Sequence, residues 1–142
     1  MKIALIYNPQ AGHKRAGQIL PQVESMFTQY KIDFDLFLTD YPEHATEITR
    51  RMKFNEYDGL IAAGGDGTLF EVINGYFRNE TDKKIPIGIL PIGTGNAFAR
   101  DLDLDAAQWT EAIKIISYEK TRKVDVGLFK THGQEYYYLN IL

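Results

Sequence analysis

The chain has 142 residues, a net charge of −3 and no cysteine. That length suits one domain with its own core, and the composition is ordinary for a globular fold. The lack of cysteine excludes disulfides and thiolate metal sites and agrees with a cytoplasmic location. Without a dense Lys/Arg surface, nucleic acid is not expected as a partner. The apolar run Ile3–Tyr7 is too short for a signal peptide or a membrane span, so any lipid contact would be peripheral.

Strand-like and helix-like stretches alternate along most of the chain, which predicts an α/β fold with a parallel sheet between helices. Strands are predicted at Lys2–Tyr7, Phe34–Leu38, Gly59–Ala63 and Pro86–Leu90. Apolar residues at helical spacing predict helices at about Ala16–Tyr30, Glu43–Phe54 and Thr68–Phe77. Pro21 should lie near the start of its helix, because an interior proline removes a hydrogen bond. A further helix should begin at Asp105, which with Gln108 forms a capping box, and present Ala106, Trp109 and Ile113 on its apolar face.

The last twenty residues change in character. Lys123–Phe129 and Tyr136–Leu142 predict two strands around a turn, with apolar and aromatic residues on both faces. We therefore predict an α/β domain over residues 1–122 and the start of a β-rich second domain over 123–142, with the chain continuing beyond. Without that domain, an open edge and apolar surface should be left over, so we expect either pairing with another copy, as in a homodimer, or disorder of these strands.

Three turns that contain glycine each follow a predicted strand. They are "NPQAG" from Asn8 to Gly12, "GGDGT" from Gly64 to Thr68, and "PIGTGN" from Pro91 to Asn96. In a parallel sheet all three would lie at the carboxyl edge, where such folds bind ligands. Glycines and the N–H groups of a helix start favour a phosphate there. No P-loop or dinucleotide fingerprint is present, and tight turns that merely require glycine are the alternative.

Asp66 stands in the second turn although a carboxylate repels phosphate. It could cap the following helix. It could hold Mg²⁺, which reverses the repulsion and lets carboxylate and phosphate share a site. It could also orient or deprotonate an acceptor hydroxyl. Thr68 and Glu71, one helical turn apart, would add a hydroxyl and a second carboxylate to the same face, or would only enrich a helix start in acceptors.

Taken in order, "NPQAG", "GGDGT" with Glu71 and Asn74-Gly75, and "PIGTGNAFAR" resemble the diacylglycerol kinase catalytic-domain family, above all its soluble bacterial lipid kinases. The likeness runs from Asn8 to Asp125. It implies the three-layer α/β fold that diacylglycerol kinases share with NAD kinases. It also implies a cytoplasmic enzyme, peripherally associated with the membrane, that uses ATP and Mg²⁺. Such an enzyme transfers the γ-phosphoryl group of ATP to the hydroxyl of a diacylglycerol-like lipid.

The resemblance also implies roles for particular residues. Asp66 would be catalytic and would bind Mg²⁺ together with ligands from the second domain. The nucleotide would be bound by Asn8, Pro9, Gly12, Thr39, Gly64, Gly65, Asp66, Gly67, Thr68, Glu71, Gly93, Thr94 and Asn96. His44 matches a family position as well, where a structural role at a helix start is favoured. Because family members continue into a β-rich domain with further carboxylates, residues 1–142 alone are expected to be inactive.

Three alternatives compete with a lipid kinase. An NAD kinase-like enzyme shares "GGDGT", but "NPQAG" and "PIGTGNAFAR" fit lipid kinases better. A non-catalytic nucleotide-binding regulatory module is disfavoured by the intact Asp66, Thr68 and Glu71. A purely structural domain is disfavoured by three glycine turns at one edge. The sequence does not distinguish diacylglycerol from phosphatidylglycerol, a sphingoid base or undecaprenol as the acceptor.

Overall fold

The structure, a computed structural model, describes residues 1–96, 99–100 and 108–139. The α/β class expected from the sequence is confirmed. The elements in chain order are β1 (Lys2–Tyr7), α1 (Arg15–Gln29), β2 (Asp33–Leu38), α2 (His44–Arg51), a 3₁₀ helix (Phe54–Glu56), β3 (Gly59–Gly64), α3 (Asp66–Arg78), β4 (Ile87–Pro91), α4 (Trp109–Ser117), β5 (Gly127–Thr131) and β6 (Gln134–Tyr138). Asp105 and Ala106, expected in the last helix, lie outside the described residues.

The main sheet of the described residues has four parallel strands in the order β2-β1-β3-β4. All six residues of β3 are buried, which is why this strand is a continuous apolar run. Tyr7 pairs with Leu38 and Ala63, and Gly64 pairs with Pro91. The carboxyl ends of the strands are therefore level, and the three glycine turns begin side by side.

Helices cover both faces of the sheet and make three layers. Side chains of β1 alternate between the two faces. Ile3, Leu5 and Tyr7 join the core beneath α1 and α4, whereas Ala4 and Ile6 join the core beneath α2 and α3. The site described below lies on the edge of these layers, next to the start of α3.

Pro21 lies inside α1, in its second turn, and not near the helix start as expected. The helix continues across it because Val23 and Phe27, further along, are completely buried against the sheet. Pro21 itself is exposed. The loss of one helical hydrogen bond at an exposed position is outweighed by burial of the apolar side chains that follow.

The two C-terminal strands form a separate antiparallel hairpin around His132 and Gly133. Both turn residues have positive φ, 49° and 75°, the geometry of a type I′ turn. The first strand begins at Gly127, four residues later than predicted, because the ladder ends where Gly127 pairs with Tyr138. Residues 140–142 of the second predicted strand lie outside the described residues.

The hairpin packs on α3, and in the described residues its strands pair with each other and not with strands of the main sheet. Tyr137 of β6 joins the core beneath α2 and α3, but Val124 and Leu128 remain about half exposed. The described residues thus cover one side of the hairpin only. Whether residues 123–142 begin a second domain, and whether the chain pairs with another copy, remain predictions. In the part of the chain that the structure describes, no helix is both long enough and apolar enough to cross a membrane.

Helices α2 and α3 approach so closely at Gly75 that a side chain would not fit. A Cβ there would lie 2.5 Å from the Thr46 carbonyl oxygen and 2.7 Å from Thr49 Cβ. We predict that Gly75→Ala lowers the free energy of unfolding by about 1–3 kcal/mol, because the backbone of α2 must move. Urea denaturation would measure this change.

Gly67→Ala is the matched control on the same helix, since a Cβ at Gly67 would meet no atom within 4 Å. Alanine should raise stability there by up to about 1 kcal/mol through helix propensity. Equal effects of the two substitutions would contradict the packing explanation.

Candidate functional site

Backbone hydrogen bonds join the three glycine turns at the carboxyl edge of the sheet. The Asn8 N–H donates to the Ala63 carbonyl at 3.0 Å. The Gly64 carbonyl accepts from both the Ile92 and Gly93 N–H groups, each at 3.1 Å. The turns after β1, β3 and β4 are therefore held as one unit.

Two glycines are required by contacts between these turns. Gly12 has a left-handed φ of 62°, and a Cβ on it would lie 2.7 Å from the Ile92 carbonyl oxygen. A Cβ on Gly93 would lie 2.3 Å from the Gly65 Cα. Packing alone thus explains why these positions are glycine, as the structural interpretation of the turns proposed.

Gly67 is different, because nothing in the fold requires glycine there. Its φ is not positive, it is exposed, and a Cβ would meet only open space. A glycine inside a helix costs about 1 kcal/mol relative to alanine. The position therefore leaves free space for the close approach of another group to the first turn of α3.

Asp66 is the first residue of α3, and Gly65 occupies the N-cap position. The capping interpretation of Asp66 is therefore wrong, because the helix begins earlier than the sequence suggested. The half-buried carboxylate reaches the third turn, where a Cβ on Gly95 would lie 2.9 Å from Asp66 Oδ2. The helix dipole favours a negative charge at this end. Metal binding and action on an acceptor hydroxyl remain as interpretations.

Asn8 and Thr68 connect the first and second turns through their side chains. Asn8 Nδ2 donates to Thr68 Oγ1 at 3.4 Å, and Asn8 Oδ1 accepts from the Gln10 N–H at 3.0 Å. Thr68 is only 6% exposed and its hydroxyl lies against Gly64. Thr68 therefore shapes the turn and presents little surface to a ligand.

Glu71 is directed to the start of α2. Its half-buried carboxylate faces the backbone N–H groups of Glu43 and Ala45. Burial raises the pKa of Glu71, the Glu43 carboxylate adds to the rise, and the two N–H groups and His44 oppose it. Thr68 thus bonds to Asn8 whereas Glu71 faces α2, so these two side chains, one helical turn apart, have different partners.

The loop between β2 and α2 carries the remaining predicted residues. Thr39 is half-buried, and its N–H donates to the Tyr7 carbonyl at 3.0 Å. His44 begins α2, where its Nδ1 accepts from the Asp40 N–H at 2.9 Å. Its ring stacks on Tyr41 with 4.2 Å between centroids. The structural role expected for His44 at a helix start is what these contacts show.

The third turn is shaped by Asn96, which is buried and left-handed at φ 50°. Its side chain accepts from the Gly93 N–H at 3.2 Å and donates to the Gly93 carbonyl at 2.6 Å. The Arg100 guanidinium donates to the Gly95 carbonyl. Thr94, by contrast, is exposed at the tip of the turn.

An apolar cleft of about 250 Å³ opens beside Asp66. One wall is the face of α3, and the other is the end of β6 and the residue after it. Its lining residues are Asp66, Gly67, Leu69, Phe70, Ile73, Tyr138 and Leu139. The sequence interpretation missed this cleft, because apolar residues at helical spacing have the same pattern whether they line a cleft or fill a core.

The site offers Asp66 as a carboxylate for a cation but not a complete metal centre. Among residues 1–96, 99–100 and 108–139, no three His, Cys, Asp or Glu side chains lie close enough together to hold a metal ion. Carboxylate oxygen is the type of ligand that Mg²⁺ prefers.

The fold and these turns define the class of protein. The sequence model of the diacylglycerol kinase catalytic-domain family matches residues 2–129, and the chain belongs to that family.

Several named proteins are similar to this chain in sequence or in structure. The chain is 34% identical over 137 residues to a diacylglycerol kinase of Bacillus subtilis, covering 96% of this chain and 43% of that protein. It is 36% identical over 134 residues to sphingosine kinase 1 of Arabidopsis thaliana, covering 89% and 27%. A crystal structure of a diacylglycerol kinase from Bacillus anthracis (strain Sterne) is 33% identical, with a TM-score of 0.69, and covers 94% of this chain and 47% of that one. The chain thus spans less than half the length of these relatives.

The raised pKa of Glu71 predicts a pH dependence of stability. Because this pKa is higher in the folded than in the unfolded chain, the contribution of Glu71 to stability is lost as pH rises from its ordinary pKa through the raised value. Glu71→Gln stays neutral, and its amide oxygen can still accept from α2. The variant should therefore match the wild type at about pH 4 and exceed it in stability at about pH 7.

Urea denaturation at both pH values would test this expectation. Glu111→Gln, an exposed position on α4, controls for the loss of one negative charge. A Glu71→Gln protein that is less stable than the wild type at neutral pH would show that the ionised carboxylate stabilises α2 by more than its burial costs.

Proposed function

We propose that the chain is the ATP-binding half of a Mg²⁺-dependent lipid kinase, which transfers the γ-phosphoryl group of ATP to the hydroxyl of a diacylglycerol-like lipid. The observation that carries the proposal is the position of Asp66. Its carboxylate lies against Gly95 of the joined glycine turns and also lines the apolar cleft. A phosphate donor on one side and an apolar alcohol on the other would meet at this carboxylate. Family membership supports the same assignment.

The most exposed and the fully buried members of the proposed nucleotide residues are given different roles. Gly67 and Thr94 are exposed and are proposed to contact the phosphates directly. Four others are buried, and we assign them the role of shaping the turns: Gly64, Thr68, Gly93 and Asn96. The N-terminus of α3 would add its dipole and the N–H groups of its first turn to the phosphate site.

The apolar cleft is proposed to hold part of the acceptor lipid. From Asp66 to Ile73 the face of α3 extends about 10 Å, at 1.5 Å per residue. The side chains along it are Leu69 and Phe70, with Tyr138 and Leu139 opposite. This lining suits an aliphatic chain and supports a lipid acceptor over the dinucleotide acceptor of an NAD kinase.

The proposed reaction uses Asp66 to bind and deprotonate the acceptor. The acceptor oxygen attacks the γ-phosphorus, the bond to the bridging oxygen of the leaving ADP breaks, and the hydroxyl proton passes to the Asp66 carboxylate. Asp66 would also be one of the residues that hold Mg²⁺, which when bound would neutralise phosphate charge. The remaining rate enhancement would come from the glycine turns and the cleft, which would hold the two substrates in position.

The setting of the enzyme is also part of the proposal. A cytoplasmic protein would bind the membrane surface peripherally to reach its lipid, and the half-exposed Val124 and Leu128 supply apolar surface for a second domain or a second copy. Because the relatives are more than twice as long, we expect residues 1–142 alone to bind nucleotide but not to catalyse transfer.

Nucleotide titration tests the phosphate side of the site. Adding ATP and Mg²⁺ to the labelled chain should shift the amide NMR signals of Gly65, Gly67 and Thr94, at the carboxyl edge of the sheet. Gly67→Ala should keep the fold, since its Cβ meets open space, yet weaken binding about tenfold by obstructing the approach of phosphate. Shifts confined to the opposite edge, around Lys2 and Gly59, would refute the assignment.

Asp66→Asn tests the chemistry. The substitution is made in a version of this protein that has the full length of its relatives. Asparagine has nearly the same shape, so the fold and nucleotide binding should persist. Turnover should fall by about 10²–10⁴, because the proton acceptor is removed. The assay is transfer of labelled phosphate from ATP to diacylglycerol in vesicles.

Glu71→Gln changes the other carboxylate of α3 and should lower turnover far less, because that carboxylate bonds to α2. Near-wild-type turnover by Asp66→Asn would remove Asp66 from the chemistry.

A further inference from the structure

Asn74 makes an unusual contact between α3 and the hairpin. Its side chain is only 2% exposed. Nδ2 donates to the Tyr137 carbonyl at 2.9 Å, and Oδ1 accepts from the Tyr137 N–H at 2.8 Å. Nδ2 also donates to the Phe70 carbonyl at 2.8 Å. One side-chain amide thus pairs with both backbone groups of one strand residue, as a neighbouring strand would.

Other contacts between α3 and the hairpin involve more exposed groups. Arg78 donates to the Glu135 carbonyl at 2.8 Å, and its guanidinium lies 5.2 Å from the centre of the Tyr136 ring. Phe77 stacks on Tyr137 with 4.6 Å between centroids. Rings can slide along each other at little cost, whereas a paired amide accepts one position only. Asn74 therefore fixes the register of β6 on α3.

The register matters because the cleft begins one residue further on. Tyr138 and Leu139 directly follow the residue that Asn74 holds, and they form the wall opposite α3. Asp66 and Asn74 are eight residues apart on α3, about 12 Å along the helix. A slip of β6 by one residue would turn the wall side chains to the other face of the strand.

We propose that Asn74 is a positioning residue for the acceptor lipid. By pairing with the backbone of Tyr137, it holds Tyr138 and Leu139 where they form the cleft wall near Asp66. It acts on the acceptor side of the site and not on the nucleotide side. This inference rests on the proposed function, since it assigns the apolar cleft to the lipid.

Amide hydrogen exchange on the 142-residue chain tests the register without any assay of activity. In Asn74→Ala, exchange at the Tyr137 N–H should be about tenfold faster or more, because its acceptor is removed. Amides of β1 and β3 should keep their protection. Arg78→Ala, which removes a more exposed contact with the same hairpin, should change Tyr137 exchange less. Unchanged exchange at Tyr137 in Asn74→Ala would overturn the proposal.

If Asn74→Ala does not fold, two variants of Tyr137 test the same hydrogen bond by changing its donor. Tyr137→Ala removes the ring but keeps the N–H, whereas Tyr137→Pro also removes the donor to Asn74. The neighbouring amides of β6 should exchange faster in Tyr137→Pro than in Tyr137→Ala. Equal exchange in the two variants would contradict the register role.

Enzyme kinetics test whether Asn74 affects binding of the acceptor lipid. They use a version of this protein that has the full length of its relatives. Asn74→Ala should raise KM for diacylglycerol in vesicles about tenfold and leave KM for ATP within about twofold. A residue that only stabilised the fold would lower the amount of active enzyme and leave both KM values unchanged. Equal rises in both KM values, or none, would overturn the positioning role. A wild-type protein that phosphorylates no lipid would refute the proposed function, while the exchange experiment would still decide the register.

Discussion

The contact between Gly65 and Gly93 is the constraint on which the site depends. Two backbones meet there with no side chain between them, so the turn that starts α3 and the turn after β4 have one arrangement. This arrangement brings Gly95 against the Asp66 carboxylate. The close packing therefore fixes the main chain of the proposed site, as electrostatic catalysis of the proposed transfer would require.

Helix α3 connects every part of the site because its faces have different partners. Its first residue, Asp66, lies among the glycine turns. A second face bonds to α2 through Glu71 and packs against it at Gly75. A third face carries Asn74 and holds the hairpin. A small rotation of this one helix would disturb the proposed nucleotide side and the proposed lipid side together.

Local patterns in the sequence predicted most of the fold, whereas contacts between distant elements escaped prediction. The strands, the covering helices and the shared edge of three glycine turns follow from periodicity and turn chemistry, which involve neighbouring residues. Asp66 could be interpreted as the N-cap because Gly65, which occupies that position, has no side chain typical of an N-cap residue. The partners of Glu71 on α2 are 26 or more residues away in the sequence, and the partner of Asn74 on β6 is 63 residues away. No local sequence pattern can identify such distant partners.

The position of Glu71 at the start of α2 has a consequence for the order in which the protein folds. Helix α2 has eight residues, and its N-cap residue, Glu43, makes no side-chain capping hydrogen bond. Helices this short are unstable alone. The carboxylate that faces its first N–H groups belongs to α3, and α2 also packs closely on α3 at Gly75, so we expect α2 to become stable only after α3 has docked on the sheet. It should be a late-forming element and, by the same reasoning, among the first to open when the native protein unfolds locally.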